Sequence, residues 1–189
     1  MKKFTFENYF REIRSLISSD IDNLKKLRSL TKLFLKCSNK KKKIILIGNG
    51  GSASTASHVA VDLSKNANVR AINFNEPNLI TCLSNDYGYE NYFKEALKKY
   101  ADNGDLIVFI SCSGESKNLI NALNFSKKKK FKCITFTGRS KINTLKRSNK
   151  SGINFWVNSN SYNIIETVHM MWLLSIVDNI IGSSFYEPN

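Results

Sequence analysis

The chain has 189 residues, 42% of them hydrophobic, which suits one globular domain over residues 1–189 with a sizeable core. Its four cysteines lack Cys-x-x-Cys spacing, no apolar run reaches the length of a membrane span, and the charged amino-terminal residues lack the apolar stretch of a signal peptide. We therefore expect a protein of the reducing cytoplasm, without a disulfide framework. The net charge of +14 has its densest runs at Lys40–Lys43 and Lys127–Lys130, without interleaved aromatic residues. This indicates a solvated surface that attracts small phosphorylated compounds, and neither a nucleic-acid nor a membrane partner.

Residues 1–40 predict an amphipathic helical hairpin, with helices at about 4–17 and 20–38, because their apolar residues recur at spacings of three and four. Residues 41–189 alternate between strand-like runs and helical segments and form the predicted core. The predicted strands are 44–47, 69–74, 105–110, 131–136 and 153–157, and the predicted helices are about 52–64, 77–101 with a break at 85–88, 116–129, 141–148 and 162–182. This alternation predicts an α/β fold, a three-layer αβα sandwich around a parallel five-stranded sheet in the flavodoxin-like order 2-1-3-4-5.

Two short Gly/Ser-rich loops follow the first and third predicted strands. Residues 48–53 read Gly-Asn-Gly-Gly-Ser-Ala, and residues 111–116 read Ser-Cys-Ser-Gly-Glu-Ser. Glycine permits close backbone approach to a ligand, serine adds hydroxyl donors, and a following helix adds free N–H groups, so such loops favour an anion, above all phosphate. In the predicted strand order both loops open into one crevice at the point where the order reverses, so one phosphorylated compound can contact both.

A nicotinamide dinucleotide is the rival ligand, because Gly48-x-Gly50-x-x-Ala53 satisfies a relaxed dinucleotide fingerprint. That fingerprint also expects an acidic residue near the end of the second strand, where this chain has asparagines before Glu76. No lysine follows the glycines as a P-loop requires, so a nucleoside triphosphate is less favoured still.

Four further motifs accompany the two loops along the chain. These are His58-x-x-x-Asp62-Leu63, Asn85-Asp86-Tyr87-Gly88, Gly104-Asp105 and Thr137-Gly138. Taken together they resemble the sugar isomerase (SIS) domain, specifically the phosphoheptose isomerases, over nearly the whole chain. The resemblance implies a homotetramer with active sites at subunit contacts. It also implies interconversion of sedoheptulose 7-phosphate and D-glycero-D-manno-heptose 7-phosphate through an enediol, in bacterial heptose biosynthesis for lipopolysaccharide, capsule or glycoprotein.

The resemblance also implies roles for the loop residues. The predicted phosphate cradle is Ser52 together with Ser111, Ser113 and Ser116, and the residues predicted to contact the rest of the substrate are Asn49, Gly50, Gly51, Asn85, Asp86 and Glu166. Cys112 lies inside the phosphate loop. It lacks a nearby partner for a nucleophilic dyad, so we interpret it as a small space-filling residue of the binding site.

The family binds a metal, usually zinc, through a histidine, a glutamate, a glutamine and a second histidine. Those positions fall on His58, Asp62, Glu166 and Leu174. The resemblance therefore implies one zinc ion per subunit held by His58, Asp62 and Glu166. The same three side chains are the predicted catalytic residues, with Asp62 as the proton-transferring base. An i, i+4 spacing places His58 and Asp62 on one helix face. Leu174 departs from the pattern because leucine can neither ligate a metal nor carry a proton. His169 lies three residues after Glu166 and is an alternative acid or ligand, but its apolar neighbours on the helix favour packing or a hydrogen bond at a subunit contact.

Two other interpretations stay open from the sequence. The His58–Asp62 spacing is also typical of a surface ion pair. A non-catalytic SIS scaffold or sugar-phosphate sensor, similar to the initiator-associating SIS proteins, is compatible with the loss of the last-helix histidine. A dinucleotide oxidoreductase is disfavoured by the missing ribose acid and by the absence of a substrate domain.

Overall fold

The computed structural model describes residues 4–17 and 21–185. Its sheet is parallel throughout and has the order β2-β1-β3-β4-β5, which confirms the predicted fold class. The strands are β1 (Ile44–Gly48), β2 (Ala71–Ile72), β3 (Leu106–Ser111), β4 (Lys132–Gly138) and β5 (Ile153–Val157). The helices are α1 (Phe6–Ile17), α2 (Ile21–Asn39), α3 (Gly51–Lys65), α4 (Pro77–Tyr87), α5 (Tyr92–Tyr100), α6 (Lys117–Lys128), α7 (Thr144–Ser148) and α8 (Tyr162–Ile181).

The core consists of two apolar layers, one on each face of the sheet. Successive side chains of β1 alternate between them: Ile44 and Leu46 join the layer with α2, α3 and α8, whereas Ile45 and Ile47 join the layer with α4, α5, α6 and α7. Since both faces are covered by helices, both sets of side chains must be apolar. This explains the continuous apolar runs in the sequence.

The predicted turn of the amino-terminal hairpin, residues 18–20, lies outside the described residues.

By length and composition helix α8 could cross a membrane, so the expectation that no apolar run of the chain reaches that length was wrong for this helix. It packs instead against α3, α2 and β4, and it supplies the core with side chains such as Val168, Leu173 and Val177. A helix that is apolar on most sides is expected where several elements cover it.

Two predicted elements differ from those observed. The second strand is shorter than 69–74, because Asn75 beyond it bonds Asn73 and reaches back to Ala53 and Ser57 of α3 instead of pairing with β1. The predicted helical region 77–101 is interrupted, as the predicted break at 85–88 indicates, but the interruption begins only at the end of that range. Helix α4 continues through Tyr87 and ends at Gly88, whose φ of 80° suits glycine, and a short 3-10 turn precedes α5.

The Gly104-Asp105 motif is a structural feature at the amino end of β3. Asp105 accepts hydrogen bonds from the backbone N–H groups of Lys43 (3.0 Å) and Asp102 (2.8 Å) and forms an ion pair with the Lys43 ammonium at 2.6 Å. The Asp105 carboxylate is buried and fully partnered, as a buried charge requires. It ties β1 to β3 at the end of the sheet away from the two Gly/Ser loops.

Candidate functional site

The site lies at the carboxyl ends of β1 and β3. These strands are neighbours, with Gly48 opposite Ile110, so the loops that follow them leave the sheet side by side. The strand order reverses here, and ligands of open α/β sheets bind at such a point.

The first loop needs glycine at two positions for two different reasons. Gly50 has φ 55° and ψ −127°, a conformation that residues with a side chain rarely adopt. Gly51 begins α3, and a Cβ atom there would overlap the carboxylate of Glu166. The missing side chain of Gly51 therefore allows the α8 carboxylate to lie directly against the start of α3.

The second loop is shaped by its own serines. The buried Ser111 hydroxyl accepts from the N–H of Gly114 at 3.1 Å, and the Ser113 hydroxyl accepts from the N–H of Glu115 at 3.2 Å. Ser116 occupies the N-cap position of α6, and its side chain makes no capping bond there. Helix α7 holds the loop from outside, because the Glu115 carboxylate accepts from the N–H of Thr144 at 2.9 Å.

A pair of asparagines joins the two loops. The side-chain nitrogen of Asn49 donates to the side-chain oxygen of Asn118 at 3.0 Å. In return, the side-chain nitrogen of Asn118 donates to the side-chain oxygen of Asn49 at the same distance. The Tyr89 hydroxyl donates to the same Asn49 oxygen, also at 3.0 Å. The separation of the loops is thus set by side-chain bonds as well as by the sheet.

A cavity of about 140 Å³ lies between the loops. Its lining combines predicted residues of both loops with Glu166 of α8. The lining residues are Asn49, Ser52, Ile110, Ser111, Cys112, Ser113, Ser116, Leu119, Tyr162 and Glu166. The structure therefore brings together all four serines of the predicted cradle, Asn49, Cys112 and Glu166. The hydroxyls and the start of α6 suit an anion.

Cys112 lies between Ser52 and Glu166 in this cavity. Its sulfur is 3.6 Å from Glu166 Oε1 and 3.9 Å from the Ser52 hydroxyl. Burial raises the pKa of the Cys112 thiol to about 12, and the charge of Glu166 acts in the same direction. The thiol therefore stays protonated at neutral pH and donates to Glu166. This supports a packing and orienting role over that of a nucleophile.

Asn85 and Asp86 lie outside the cavity lining. Both are exposed near the end of α4, where the Asn85 amide donates to the Asp86 carboxylate at 3.0 Å. Their contact with substrate hydroxyls stays a prediction. The neighbouring Tyr89 is the residue of this segment that reaches the site, through Asn49.

His58 and Asp62 form a pair on α3, as their spacing predicts. His58 Nε2 lies 3.3 Å from Asp62 Oδ2, and the Asn66 amide donates to the other Asp62 oxygen at 3.2 Å. The His58 side chain is 50% exposed, and neither member of the pair lines the cavity with Glu166.

The predicted zinc ligands do not assemble within one chain. Among residues 4–17 and 21–185, no group of three His, Cys, Asp or Glu side chains lies close enough to hold a metal ion. The His58–Asp62 pair supplies two donors, and a catalytic zinc ion takes three protein ligands. The donor set of a single chain therefore does not fit the ion, and zinc at His58, Asp62 and Glu166 stays a prediction.

The last helix carries two informative positions. Leu174 packs against the core. His169 is fully buried, with Nε2 3.1 Å from the carbonyl oxygen of Thr137. Burial lowers the pKa of His169 to about 4, so its ring is neutral at neutral pH. His169 is a core residue and not the alternative ligand.

Three polar residues of the site were not predicted from the sequence. Tyr89 and Asn118 bond Asn49, and Tyr162 lines the cavity while its hydroxyl accepts from Arg139 at 3.0 Å. Asn118 lies two residues after the phosphate loop, and Tyr162 lies four residues before Glu166. Their positions in the sequence could therefore have indicated that they belong to the site.

Comparison with known proteins identifies a matching family and similar structures. The sequence matches the SIS domain family over residues 8–138. It is 35% identical over 152 residues to the phosphoheptose isomerase of Sulfurimonas denitrificans, covering 74% of this chain and 75% of that protein. The phosphoheptose isomerase structure from Neisseria gonorrhoeae has a TM-score of 0.83 at 24% identity, covering 93% of this chain and 94% of that one. The one from Francisella tularensis has a TM-score of 0.81 at 21% identity, covering 96% and 100%.

A parallel sheet with two anion-binding loops at its switch point defines an α/β protein that binds phosphorylated ligands. The chain belongs to the SIS domain family, among relatives named as phosphoheptose isomerases.

Proposed function

We propose that this protein is a sugar-phosphate isomerase that interconverts sedoheptulose 7-phosphate and D-glycero-D-manno-heptose 7-phosphate. The observation that carries the proposal is the cavity in which the serine hydroxyls of both loops meet the carboxylate of Glu166. An aldose–ketose isomerisation of a phosphorylated sugar needs both parts: donors for the phosphate and a base for the carbon chain. The family match supplies independent support.

The serines and the start of α6 receive the phosphate. Ser116 offers a hydroxyl without a capping bond, and the first N–H groups of an α-helix such as α6 have no backbone carbonyl partner within the helix. The positive end of the helix dipole adds to the attraction. Because the loop is already held by Ser111 and α7, little ordering is needed when the anion binds.

The reaction moves one proton between neighbouring carbons. A base removes a proton from C1 of the ketose to give an enediol, and a proton is then added to C2, while O1 loses a proton and O2 gains one. Of the three predicted catalytic side chains, Glu166 lines the cavity, whereas His58 and Asp62 do not. We therefore assign the proton transfer at the carbons to Glu166, with the Cys112 thiol orienting its carboxylate. This differs from the sequence-based prediction, in which Asp62 was the base.

We also propose that the His58–Asp62 pair belongs to the active site of the assembled protein, since the family resemblance implies active sites at subunit contacts. Its members lie on α3 with His58 half-exposed, and the exposed side chains of Phe4, Phe6 and Phe10 leave α1 with an uncovered apolar face. We propose a homotetramer in which subunit contacts cover that face, as the family resemblance implies.

The deciding experiment is incubation of purified protein with sedoheptulose 7-phosphate, followed by NMR of the sugar carbons. We expect formation of the aldose. Glu166→Gln keeps the side-chain shape but removes the basicity, so turnover should fall by about 10² to 10⁴ with little change in substrate affinity. Asp62→Asn is the matched variant and should lower turnover less.

Two results would change the conclusion. If Asp62→Asn abolishes turnover while Glu166→Gln does not, the assignment of the base is wrong. If the unaltered protein binds seven-, six- and five-carbon ketose phosphates but isomerises none, with or without added zinc, the non-catalytic sensor or scaffold takes the place of the enzyme. Leu174 at the position of the family's second histidine is the observation that favours this second function.

A further inference from the structure

A second cavity, of about 600 Å³, lies at the edge of the sheet formed by β5. It shares no lining residue with the site between the loops. The lining residues are Asp22, Asn23 and Lys26 of α2, Lys141 and Lys146 around the start of α7, and Gly152, Ile153, Asn154 and Trp156 at β5. We refer to it as the Trp156 cavity.

Two ammonium groups are placed against the indole ring of Trp156. Lys146 Nζ lies 5.2 Å and Lys141 Nζ 5.9 Å from the ring centroid, both within the range of a cation–π contact. The indole N–H donates to the carbonyl oxygen of Arg139 at 3.3 Å, which fixes the plane of the ring. The two lysines are therefore positioned by a half-buried aromatic residue and are not simply extended into solvent.

The charges in this cavity are unbalanced. Lys26 is the third lysine, and its ammonium forms an ion pair with Asp22 at 2.6 Å. Asp22 is the one carboxylate among the lining residues, so three ammonium groups face one negative charge. Burial lowers the pKa of Lys146, and the charges of Lys141 and Lys26 lower it further. Mutual repulsion of this kind is relieved by an anion placed among the lysines.

We propose that the Trp156 cavity binds a small molecule that carries a diphosphate group. The lysines approach the cavity from separate elements, α2, the segment before α7 and α7 itself, so a diphosphate, whose charge is spread over two phosphorus centres, can contact more than one of them at once. The cavity is also about four times larger than the 140 Å³ site between the loops, so it has room for the rest of such a ligand beside the indole ring. A nucleoside diphosphate and free pyrophosphate share this chemistry. The proposal is independent of the isomerase function.

The test uses the fluorescence of the full-length protein. The chain has two tryptophans, Trp156 in the cavity and Trp172 buried in the core. Titration with ADP and with inorganic pyrophosphate should each change the emission, and the change should vanish in Trp156→Phe but persist in Trp172→Phe. Tighter binding of ADP identifies a nucleotide-type ligand, whereas equal binding identifies the diphosphate group as the whole determinant.

Lysine variants separate a defined site from general attraction to a basic protein. Lys146→Met keeps the apolar stem on the indole ring but removes the charge, and it should weaken ADP and pyrophosphate binding by about tenfold or more. Lys141→Met tests a second lysine of the same cluster, and this residue is exposed. Lys150→Met is the matched control, because Lys150 is exposed near β5 but does not line the cavity. Its affinity for ADP and pyrophosphate should equal that of the unaltered protein.

Three outcomes would overturn the proposal. The first is an absence of any emission change with either probe. The second is equal loss of affinity in Lys150→Met and Lys146→Met, which would show attraction to the overall charge only. The third is binding of inorganic phosphate as tightly as pyrophosphate, which would remove the preference for a diphosphate.

Discussion

Asn49 and Asn118 exchange two hydrogen bonds of 3.0 Å and so fix the distance between the loop after β1 and the loop after β3. The pair crosses the switch point of the sheet, and Asn118 is 97% buried within it. The two bonds fix the orientation of both amide groups, because each group supplies the donor for the oxygen of the other. The shape of the site between the loops therefore depends on side chains that need not touch the substrate.

Asn118→Ala should impair both stability and substrate binding. The change leaves the side-chain nitrogen of Asn49 without its acceptor in a partly buried position, while the oxygen keeps the bond from Tyr89, and this should lower the free energy of unfolding by about 1 to 3 kcal/mol. Since the loops then lose their cross-link, KM for the sugar phosphate should rise. Urea denaturation and steady-state kinetics measure the two effects. Asn121→Ala, one turn further along α6, is the control, because Asn121 bonds the carbonyl of Glu90 and not a ligand loop. Equal KM values in the two variants would contradict the role of the pair.

Ser113→Ala and Ser116→Ala should each weaken the binding of sugar phosphate by roughly tenfold or more. Each removes a hydroxyl that can donate to a charged oxygen, a contact worth about 1.5 to 3 kcal/mol. Isothermal calorimetry with sedoheptulose 7-phosphate measures the loss. Ser54→Ala is the matched control, an exposed serine of α3 outside the cavity lining. Undiminished affinity in both loop variants would remove this loop as the phosphate cradle.

The fold and the two ligand loops could be predicted from the sequence, because both depend on local patterns. Apolar runs such as Leu106–Ile110 mark strands buried on two faces, and the glycines and serines that follow them mark loops at strand ends. The partners across the site could not be predicted. That Tyr89 reaches Asn49, or that Glu166 lies against Gly51, depends on how helices far apart in the chain pack on the sheet. The i, i+4 pair of His58 and Asp62 was predicted correctly, but its separation from the cavity is a property of the packing.

The exposed apolar face of α1 predicts self-association. Phe6 and Phe10 are 70% and 62% exposed, and exposed aromatic residues on one amphipathic helix are typical of an interface. Light scattering at micromolar concentration should give about four times the chain mass of 21.5 kDa. Phe6→Lys with Phe10→Lys should shift the protein to smaller species. Phe185→Lys, which changes an equally exposed residue outside α1, should not. A monomer in the unaltered protein would contradict the proposed tetramer.

His169 predicts a loss of stability in mild acid. Its pKa is about 4 in the folded protein, because burial disfavours the charged ring, and about 6.5 when unfolded. Between these values the unfolded chain binds the extra proton. The free energy of unfolding therefore falls as the pH drops below about 6.5, by up to about 1.4 kcal/mol per pH unit, and His169 adds no slope above that pH.

Denaturation with urea at pH 7 and pH 5 measures this effect, with each variant compared with itself. His169→Phe cannot be protonated, so about 2 kcal/mol of the acid-induced loss should disappear, whatever the change does to stability at pH 7. His58→Gln removes the one other histidine of the chain and is the matched control, in which the loss due to His169 should remain. If His169→Phe loses as much stability as the unaltered protein between the two pH values, His169 is not held neutral by burial. In that case the ring of His169 would be accessible to protons and to ligands, and His169 would not be a core residue.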